Sequence, residues 1–416
     1  MIRKFILPLF SLFSIVSFAQ NGSASPYSFF GVGDVRFKGT HENSAMGGLA
    51  ILPDSIHVNL QNPASYASIK LSTFTIGGTF NATQFNSNST NEKAQRSSLD
   101  YLAVALPMKK FGLAFGLLPY STVGYKIKKE DDVNNITRRY TGEGGLNKAF
   151  LGLGYQITPR LSIGTELSYN FGRIETNSIK YLRATQNDGS QETNVSEMSG
   201  LTINFGAMYN AKINKNTHFY SALSFTPQSN LSSNNTSNLF SIRYLGDFTP
   251  IPIDYLDTQT SKTTIKLPSK YSFGAGLGQS RKWLVGSEVT FQESNTFSNR
   301  LSVANNVTYE NAVKYSLGGF YIPNYNSFTS YFKKVTYRGG FRYENTGLVI
   351  NDESINDYAF TGGVGLPLGG TFSNLNLGVE IGRRGTAKAN LVEENYVNVM
   401  ISLSLNDKWF VKRKYD

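Results

Sequence analysis

A two-residue alternation of apolar and polar side chains begins after Leu71 and runs through the rest of this 416-residue chain. Residues 161–171 show it clearly, because leucine, isoleucine, tyrosine and phenylalanine alternate there with small or polar residues. Successive side chains of a strand point to opposite faces of its sheet, so each such segment has one apolar and one polar face. The rhythm recurs in residues 201–209, 271–277, 375–381 and 397–405. The chain beyond Leu71 is therefore predicted to be all-β.

The connections between these segments distinguish a membrane barrel from a soluble sandwich, which shows the same alternation. Short connections and long polar connections mostly alternate along the chain. Outer-membrane barrels show the same order, because they have short turns at one end and long loops at the other. The short connections are residues 109–110, 158–160, 214–216, 279–281 and 367–370, and the long ones are 86–96, 129–135, 186–194, 228–261, 295–308 and 349–354. Only residues 323–334 and 387–390 break this order.

About 14 strands fit between residues 71 and 406, at the lengths that membrane strands need. A sheet in lipid tolerates no unpaired edge, so the strands are predicted to close into a transmembrane antiparallel β-barrel over residues 71–416. An even number of strands places both termini of the mature chain at the periplasmic side of a bacterial outer membrane.

The first 19 residues have the order of a secretory signal peptide. Arg3 and Lys4 precede an apolar run that is too short to span a bilayer, and Ala19 closes a small-x-small cleavage site. A buried or membrane-anchoring first helix is the alternative. The chain contains no cysteine, so it is neither a lipoprotein nor a disulfide-stabilised exported protein.

Residues 20–70 lack both a helical and a strand period, because Gly and Pro interrupt their apolar clusters every few residues. Side chains such as Tyr27, Phe30 and Met46 would each cost about 1.5–3 kcal/mol if they were left in water. We therefore predict that this stretch is an N-terminal plug, or hatch, inside the barrel.

The plug carries Gly47 and Gly48 and closes on Asn62, Pro63 and Ala64. With the signal peptide and the strand count, this arrangement resembles the FadL family of outer-membrane transporters for hydrophobic molecules, which includes PorV-like subunits of secretion machinery. Ser65 stands where the family usually has glycine. The resemblance implies passive uptake of fatty-acid or hydrocarbon molecules through a plugged barrel with a lateral exit. The alternative is a non-transporting structural subunit of an outer-membrane secretion or assembly complex.

Pro119 lies in the middle of the third predicted strand, where a proline cannot donate to the ladder. A kink in this strand forms the side exit in the FadL family, so the resemblance implies a lateral opening near Pro119; a bulge without an opening is the alternative. The adjacent strands carry an inward apolar strip that suits either an apolar conduit or plug packing. The strip comprises Tyr101, Ala103, Ala105, Ala114 and Leu118.

Two outer features are candidate contact sites. Lys126, Lys128, Lys129, Arg138 and Arg139 suit lipopolysaccharide phosphates or a substrate carboxylate, or form a solvated loop. An unusually apolar loop segment suits substrate capture, docking of another outer-membrane protein or lipoprotein, or closure over the barrel mouth. It contains Phe248, Ile251, Ile253 and Tyr255.

No enzyme, cofactor or metal pattern emerges from the sequence. The three histidines, His41, His57 and His218, lie in the plug or beside a short turn, so no catalytic triad or metal cluster is predicted. The formal charge of +11 is spread over turns and loops, and export argues against a nucleic-acid partner. The predicted partners are outer-membrane lipid and a hydrophobic small molecule.

Overall fold

The computed structural model describes residues 22–88, 90–182, 188–244, 250–296, 306–369 and 372–408. The predicted signal peptide, residues 1–19, lies outside the described residues. None of the helices in these ranges is long and apolar enough to cross a membrane.

The wall is one antiparallel sheet that closes on itself. It comprises β2 (Ser72–Asn86), β3 (Asn91–Met108), β4 (Phe111–Asp131), β5 (Ile136–Gln156), β6 (Leu161–Leu182), β7 (Asp188–Lys212), β8 (His218–Thr226), β9 (Ser229–Tyr244), β10 (Pro250–Leu267), β11 (Lys270–Gln279), β12 (Trp283–Gln292), β14 (Ala312–Tyr321), β15 (Thr336–Ile350), β16 (Glu353–Pro367), β17 (Asn374–Gly385) and β18 (Glu393–Asp407). β18 pairs with β2 along the full length of both strands, which closes the ring.

Two of the 14 wall strands are each interrupted by a proline. β8 and β9 form one strand broken at Pro227, since both pair with β7, and β10 and β11 form one strand broken at Pro268. Two shorter strands complete the sheet. They are β1 (Asp34–Val35) near the N-terminus and β13 (Val307–Tyr309), which pairs with the C-terminal end of β15. The prediction of an all-β barrel of about 14 strands is confirmed.

Residues 228–261 were predicted to be a long loop, and this was wrong. They belong largely to β9 and β10, which pair from Ser229 and Leu267 up to Tyr244 and Pro250. All residues of β10 from Ile251 to Thr264 are exposed. A strand exposed on both faces, such as this part of β10, needs no apolar alternation. In β9 a serine, Ser233, fills one of the buried positions, so the two-residue signal was absent although both strands are present.

The burial pattern of the wall is the reverse of a soluble protein's pattern. Leu151 and Leu201 point outward and are 54% and 57% exposed, whereas the inward Glu166 and Asn170 are at most 1% exposed. Such an apolar outer surface is stable only against lipid or another apolar surface.

The connection of residues 322–335 lies at the end of the barrel that carries the short turns, hereafter the short-turn end. Its Tyr331 hydroxyl donates to the carbonyl of Pro367 at 3.1 Å, and the Tyr337 hydroxyl donates to the carbonyl of Phe332 at 3.3 Å. Phe328 is fully exposed. The connection therefore folds sideways over the neighbouring β16–β17 turn.

Residues 22–70, hereafter the inner segment, lie within the ring of strands. Its elements are 3₁₀ helix Pro26–Phe29, β1, the short helix α1 (His41–Ser44) and 3₁₀ helix Pro63–Ser68. The last of these contacts β3 to β7, whereas α1 contacts β16, β17 and β18 on the opposite side of the barrel. The remaining 3₁₀ turns, Ser294–Thr296 and Lys388–Asn390, connect wall strands.

Candidate functional site

Asn62 fixes the end of the inner segment to the wall. Its side-chain amide donates to the carbonyls of Ala207 at 3.3 Å and Leu223 at 3.0 Å, which belong to β7 and β8. Its amide oxygen accepts from the backbone N–H of Ala64 at 3.0 Å, so the same side chain caps the helix that Pro63 begins. One residue thus couples the local turn to two wall strands.

Glycines on the inner face of the wall allow this helix to approach the strand backbones. A Cβ atom on Gly112 would lie 1.8 Å from the Tyr66 carbonyl oxygen, and one on Gly206 would lie 2.1 Å from the Asn62 amide oxygen. Gly47 has a positive φ of 70°, and its N–H donates to the Thr361 hydroxyl at 2.9 Å on the opposite wall. Backbone contacts of this kind hold the inner segment in one position.

A buried ion pair lies between these contacts. Lys148 Nζ on β5 is 2.5 Å from Glu166 Oε1 on β6, and the Tyr66 hydroxyl donates to the other Glu166 oxygen at 2.9 Å. The side chains of Lys148 and Glu166 are 6% and 1% exposed. Because isolated buried charges are costly, each of these three groups depends on the other two.

The predicted apolar strip forms one buried cluster with the inner segment. Tyr101, Ala103, Ala105, Ala114 and Leu118 pack together with residues 58, 60, 66 and 69 of that segment. The Tyr101 hydroxyl also accepts from the backbone N–H of His41 at 3.1 Å. These residues line the contact with the inner segment rather than open space.

The wall is interrupted between β3 and β4. In the described strands their ladder runs only from Met108–Phe111 to Leu102–Leu117. β4 continues to pair with β5 on its other side up to Asp131, with an irregularity between Pro119 and Ser121. Residues 91–101 of β3 and 118–131 of β4 therefore flank an opening, hereafter the wall gap.

β1 of the inner segment takes the place beside β4 that β3 leaves vacant. Val35 is the register partner of Ser121, and since β5 occupies the other edge of β4, β1 lies on the side of the gap. The N–H of Arg36 donates to the Tyr120 carbonyl at 3.0 Å, and the Ser121 hydroxyl donates to the Val32 carbonyl at 2.6 Å. The free edge of β4 is thus partly satisfied from inside the barrel.

The wall gap begins at the level of the hydrocarbon layer. Leu102 is six residues from the turn residue Met108, or about 15 Å at about 3.3 Å per residue and a strand tilt of about 40°. The apolar band of such barrels is about 25 Å tall. Leu99, Leu117 and Val35 flank the gap and are each 52–53% exposed. Exposed apolar side chains therefore border the part of the gap that is nearest the short-turn end.

A cavity of about 420 Å³, hereafter the chamber, lies directly behind the gap, and Val35, Pro119 and Tyr120 are part of its lining. Its other lining residues are mainly polar and include four lysines, Lys38, Lys148, Lys270 and Lys314. Carboxylates also line it, and among them Asp34 pairs with Arg384 while Asp357 and Glu380 pair with Arg342. Lys38 Nζ lies 4.9 Å from the centroid of the Tyr120 ring, and Lys314 Nζ lies 4.9 Å from that of Phe37. The chamber combines aromatic and cationic surfaces.

Sequence reasoning did not single out these lysines. Lys148 stands between the apolar inward residues Leu146 and Phe150, which was a usable signal, because a cation at an inward strand position needs a partner or a ligand. Lys38 and Lys270 lie outside regular alternation, one in the inner segment and one directly after the break at Pro268. No periodic pattern marks such positions.

The outer contact candidates are placed separately from the chamber. Ile251, Ile253 and Tyr255 lie on β10 and are 46–55% exposed, while Phe248 lies outside the described residues. The basic residues lie on two adjacent strands, where Lys128 pairs in register with Arg139 and Lys129 with Arg138. Lys126, Lys128 and Lys129 are exposed, and Lys128 Nζ is 2.5 Å from Glu130.

A second cavity, of about 650 Å³, lies at the short-turn end and is lined by an acidic-basic cluster of the inner segment. His57 Nδ1 is 2.9 Å from Asp54 Oδ2, and its Nε2 is 3.9 Å from Glu42 Oε1. Burial opposes ionisation of all three groups, but their mutual attraction outweighs it. The pKa of His57 is raised, that of Glu42 is lowered, and that of Asp54 falls to about 2.

Wild-type protein is expected to lose thermal stability as the pH rises through the raised pKa of His57. A raised folded-state pKa contributes stability that is complete below the ordinary value of 6.5 and is lost above the folded value. The lowered pKa values of Asp54 and Glu42 contribute only above their ordinary values of 3.8 and 4.5 and are constant in this window. The positive charge of Arg338 also acts on His57, and it opposes protonation of the imidazole ring. Unfolding midpoints at about pH 6 and pH 9 measure the slope; His57→Gln should flatten it, and an equal slope in that variant contradicts the assignment.

Solved structures with the same architecture define the class of this barrel. It is similar to the Pseudomonas putida toluene transporter TodX (14% identity, 90% of this chain and 100% of that chain, TM-score 0.61). It is also similar to the Ralstonia pickettii toluene transporter TbuX (14%, 89% and 99%, 0.58) and to a Pseudomonas aeruginosa FadL homologue (11%, 90% and 99%, 0.57). The chain thus has the FadL-type barrel fold, and the predicted resemblance is confirmed.

The particular family is given by a family model, BamG, that matches residues 1–416. The chain belongs to the BamG family. No curated protein matches it.

Proposed function

We propose that this chain is an outer-membrane channel for passive uptake of small molecules with a hydrophobic part, and that they leave sideways through the wall gap. The observation that carries the proposal is the end of the β3–β4 ladder at Leu102–Leu117 in front of a chamber. In this proposal β1, which pairs with β4 through two residues, separates a molecule in the chamber from lipid. In this proposal the long loops face outward and both termini lie in the periplasm.

The inner segment acts as the plug. Its fixed part is the end around Asn62 and Tyr66, which is held by side-chain hydrogen bonds to the wall and by close backbone contacts. Its displaceable part is β1, because β1 is attached to β4 by only two register pairs, whereas the wall strands pair along most of their length. Passage requires β1 to move while the remainder of the plug stays in place.

The lining of the chamber favours an amphipathic molecule over a pure hydrocarbon. Tyr120, Phe37 and Pro119 provide apolar surface, whereas four lysines provide positive charge. Ligand sites combine apolar walls with a few polar groups that fix orientation. Within the predicted fatty-acid or hydrocarbon class, the chamber therefore suits molecules with an acidic head group.

A non-transporting structural subunit of an outer-membrane complex is the second candidate, and the β9–β10 hairpin favours it. Its end carries Ile251, Ile253, Tyr255 and Leu256, all of them 46–55% exposed. A monomeric channel gains nothing from apolar side chains in water, whereas a docking surface needs them. In this case β1 would be a permanent seal of the wall gap.

Purification in mild detergent followed by reconstitution separates the two candidates. For the channel, the protein is expected to purify alone and to accelerate transfer of a fluorescent fatty acid into vesicles. For the subunit, it is expected to co-purify with stoichiometric partners and to leave the transfer rate at that of empty vesicles. Vesicles that contain heat-unfolded protein are the control for leakage.

A further inference from the structure

Four lysines from distant parts of the chain meet at the chamber. Lys38 follows β1 in the inner segment, Lys148 lies on β5, Lys270 begins β11 and Lys314 lies on β14. They are brought together only by closure of the barrel and by insertion of the inner segment. Cations rarely gather in a confined space without negative charge to balance them.

Only one of the four lysines has a carboxylate partner within 4 Å in the described part of the chain, namely Lys148 with Glu166. Three further carboxylates act on these lysines, but in the described residues none of them lies within 4 Å of a lysine Nζ atom. Glu288 accepts from the backbone N–H of Ala50 at 3.0 Å, and Glu344 and Glu380 pair with Arg342 at 3.6 and 2.7 Å. Three ammonium groups therefore face the chamber without a direct counter-charge.

Aromatic rings hold two of these ammonium groups in place. The Lys38 Nζ atom lies over Tyr120 and that of Lys314 over Phe37, each at 4.9 Å from the centroid. A cation–π contact orients an ammonium group and leaves its N–H donors available. Burial, followed by the charges of Lys148 and Lys270, holds the pKa of Lys38 well below its usual value. An anion in the chamber would relieve this repulsion.

We propose that the chamber is a binding site for a phosphoryl group, held by Lys38, Lys270 and Lys314. Phosphate monoesters carry almost two negative charges at neutral pH and offer three acceptor oxygens, which matches three unpaired ammonium groups better than a single carboxylate does. The site rests on the proposed function only for the way in which a ligand enters; binding itself requires no transport.

The position of the chamber allows two sources of this phosphoryl group. A phosphorylated lipid reaches it through the wall gap with its chain still in the membrane, since Val35 and Pro119 belong to both the gap and the chamber lining. A water-soluble phosphate reaches it from the end that carries the long loops. Both use the same three ammonium groups.

Calorimetric titration of the purified full-length protein in neutral detergent tests the site with three probes: dodecyl phosphate, dodecanol and inorganic phosphate. We expect dodecyl phosphate to bind and dodecanol not to bind. Double replacement Lys38→Gln and Lys270→Gln should weaken binding at least about tenfold, since charge-assisted hydrogen bonds are the strong ones. Lys262→Gln, at an exposed position of β10, is the matched control and should bind as the wild type does.

Each outcome has one meaning. Binding of dodecyl phosphate alone indicates a lipid source, and comparable binding of inorganic phosphate indicates a soluble one. Absence of binding by both phosphates, or equal affinity in wild type and in the double variant, overturns the site. An unchanged shift in gel mobility on boiling shows that the double variant is folded. Vesicle transfer is measured separately, so loss of transport with intact phosphate binding contradicts the proposed function and leaves the site standing.

Discussion

Joining β1 to the wall by a disulfide, with Val35→Cys and Ser121→Cys, is expected to abolish transfer of a fluorescent fatty acid into vesicles. The two residues are register partners, and opposite residues of antiparallel strands have the Cα separation that a disulfide requires. The native chain contains no cysteine, so no other disulfide forms within it. If molecules leave through the wall gap, β1 must move, and the covalent link prevents this. Reduction should restore transfer.

Two controls accompany this experiment. The single variants Val35→Cys and Ser121→Cys should transfer at the wild-type rate under oxidation. A second disulfide, Thr165→Cys with Phe205→Cys, joins register partners of the uninterrupted β6–β7 ladder and should leave transfer unchanged. Wild-type transfer by the oxidised Val35–Ser121 variant would show that the gap is not the exit and would favour β1 as a permanent seal.

Replacing Glu166 by Ala is expected to destabilise the protein by about 3–5 kcal/mol, because it leaves Lys148 as an uncompensated buried charge. The ammonium group loses a carboxylate oxygen at 2.5 Å, and the Tyr66 hydroxyl loses its acceptor. The lost contacts join β5, β6 and the inner segment, so that segment should loosen first. Thermal unfolding in detergent, followed by the change in gel mobility on heating, measures the effect.

An apolar double variant separates the loss of the pair from the exposure of one charge. Lys148→Met with Glu166→Leu removes both charges and should cost clearly less than Glu166→Ala alone. Glu175→Gln breaks an exposed pair with Arg173, at 2.9 Å, and should change stability by less than about 1 kcal/mol. If Glu166→Ala and Glu175→Gln lower the stability by the same amount, the buried pair contributes no more to stability than the exposed one.

Sequence reasoning succeeded where the environment repeats every two residues. The wall strands in lipid, such as β6 and β7, have one face toward lipid and one toward the interior, so their alternation predicts both strand and orientation. It failed in residues 228–261, because β10 is exposed on both faces and β9 fills a buried position with Ser233, so neither strand shows the alternation. It singled out Pro119, which lies at the irregularity of the β4–β5 ladder because a proline cannot donate to it; a lateral opening there stays a prediction.

By itself, the sequence determined that this chain forms a closed barrel with an irregular N-terminal segment, because strand periodicity and glycine and proline placement are local properties. Only the tertiary structure decided that β1 replaces β3 beside β4, and that Lys38, Lys148, Lys270 and Lys314 share one chamber. The physical reason is the distance along the chain: these lysines are spread over residues 38–314 and act on one another only after the sheet has closed around the inner segment.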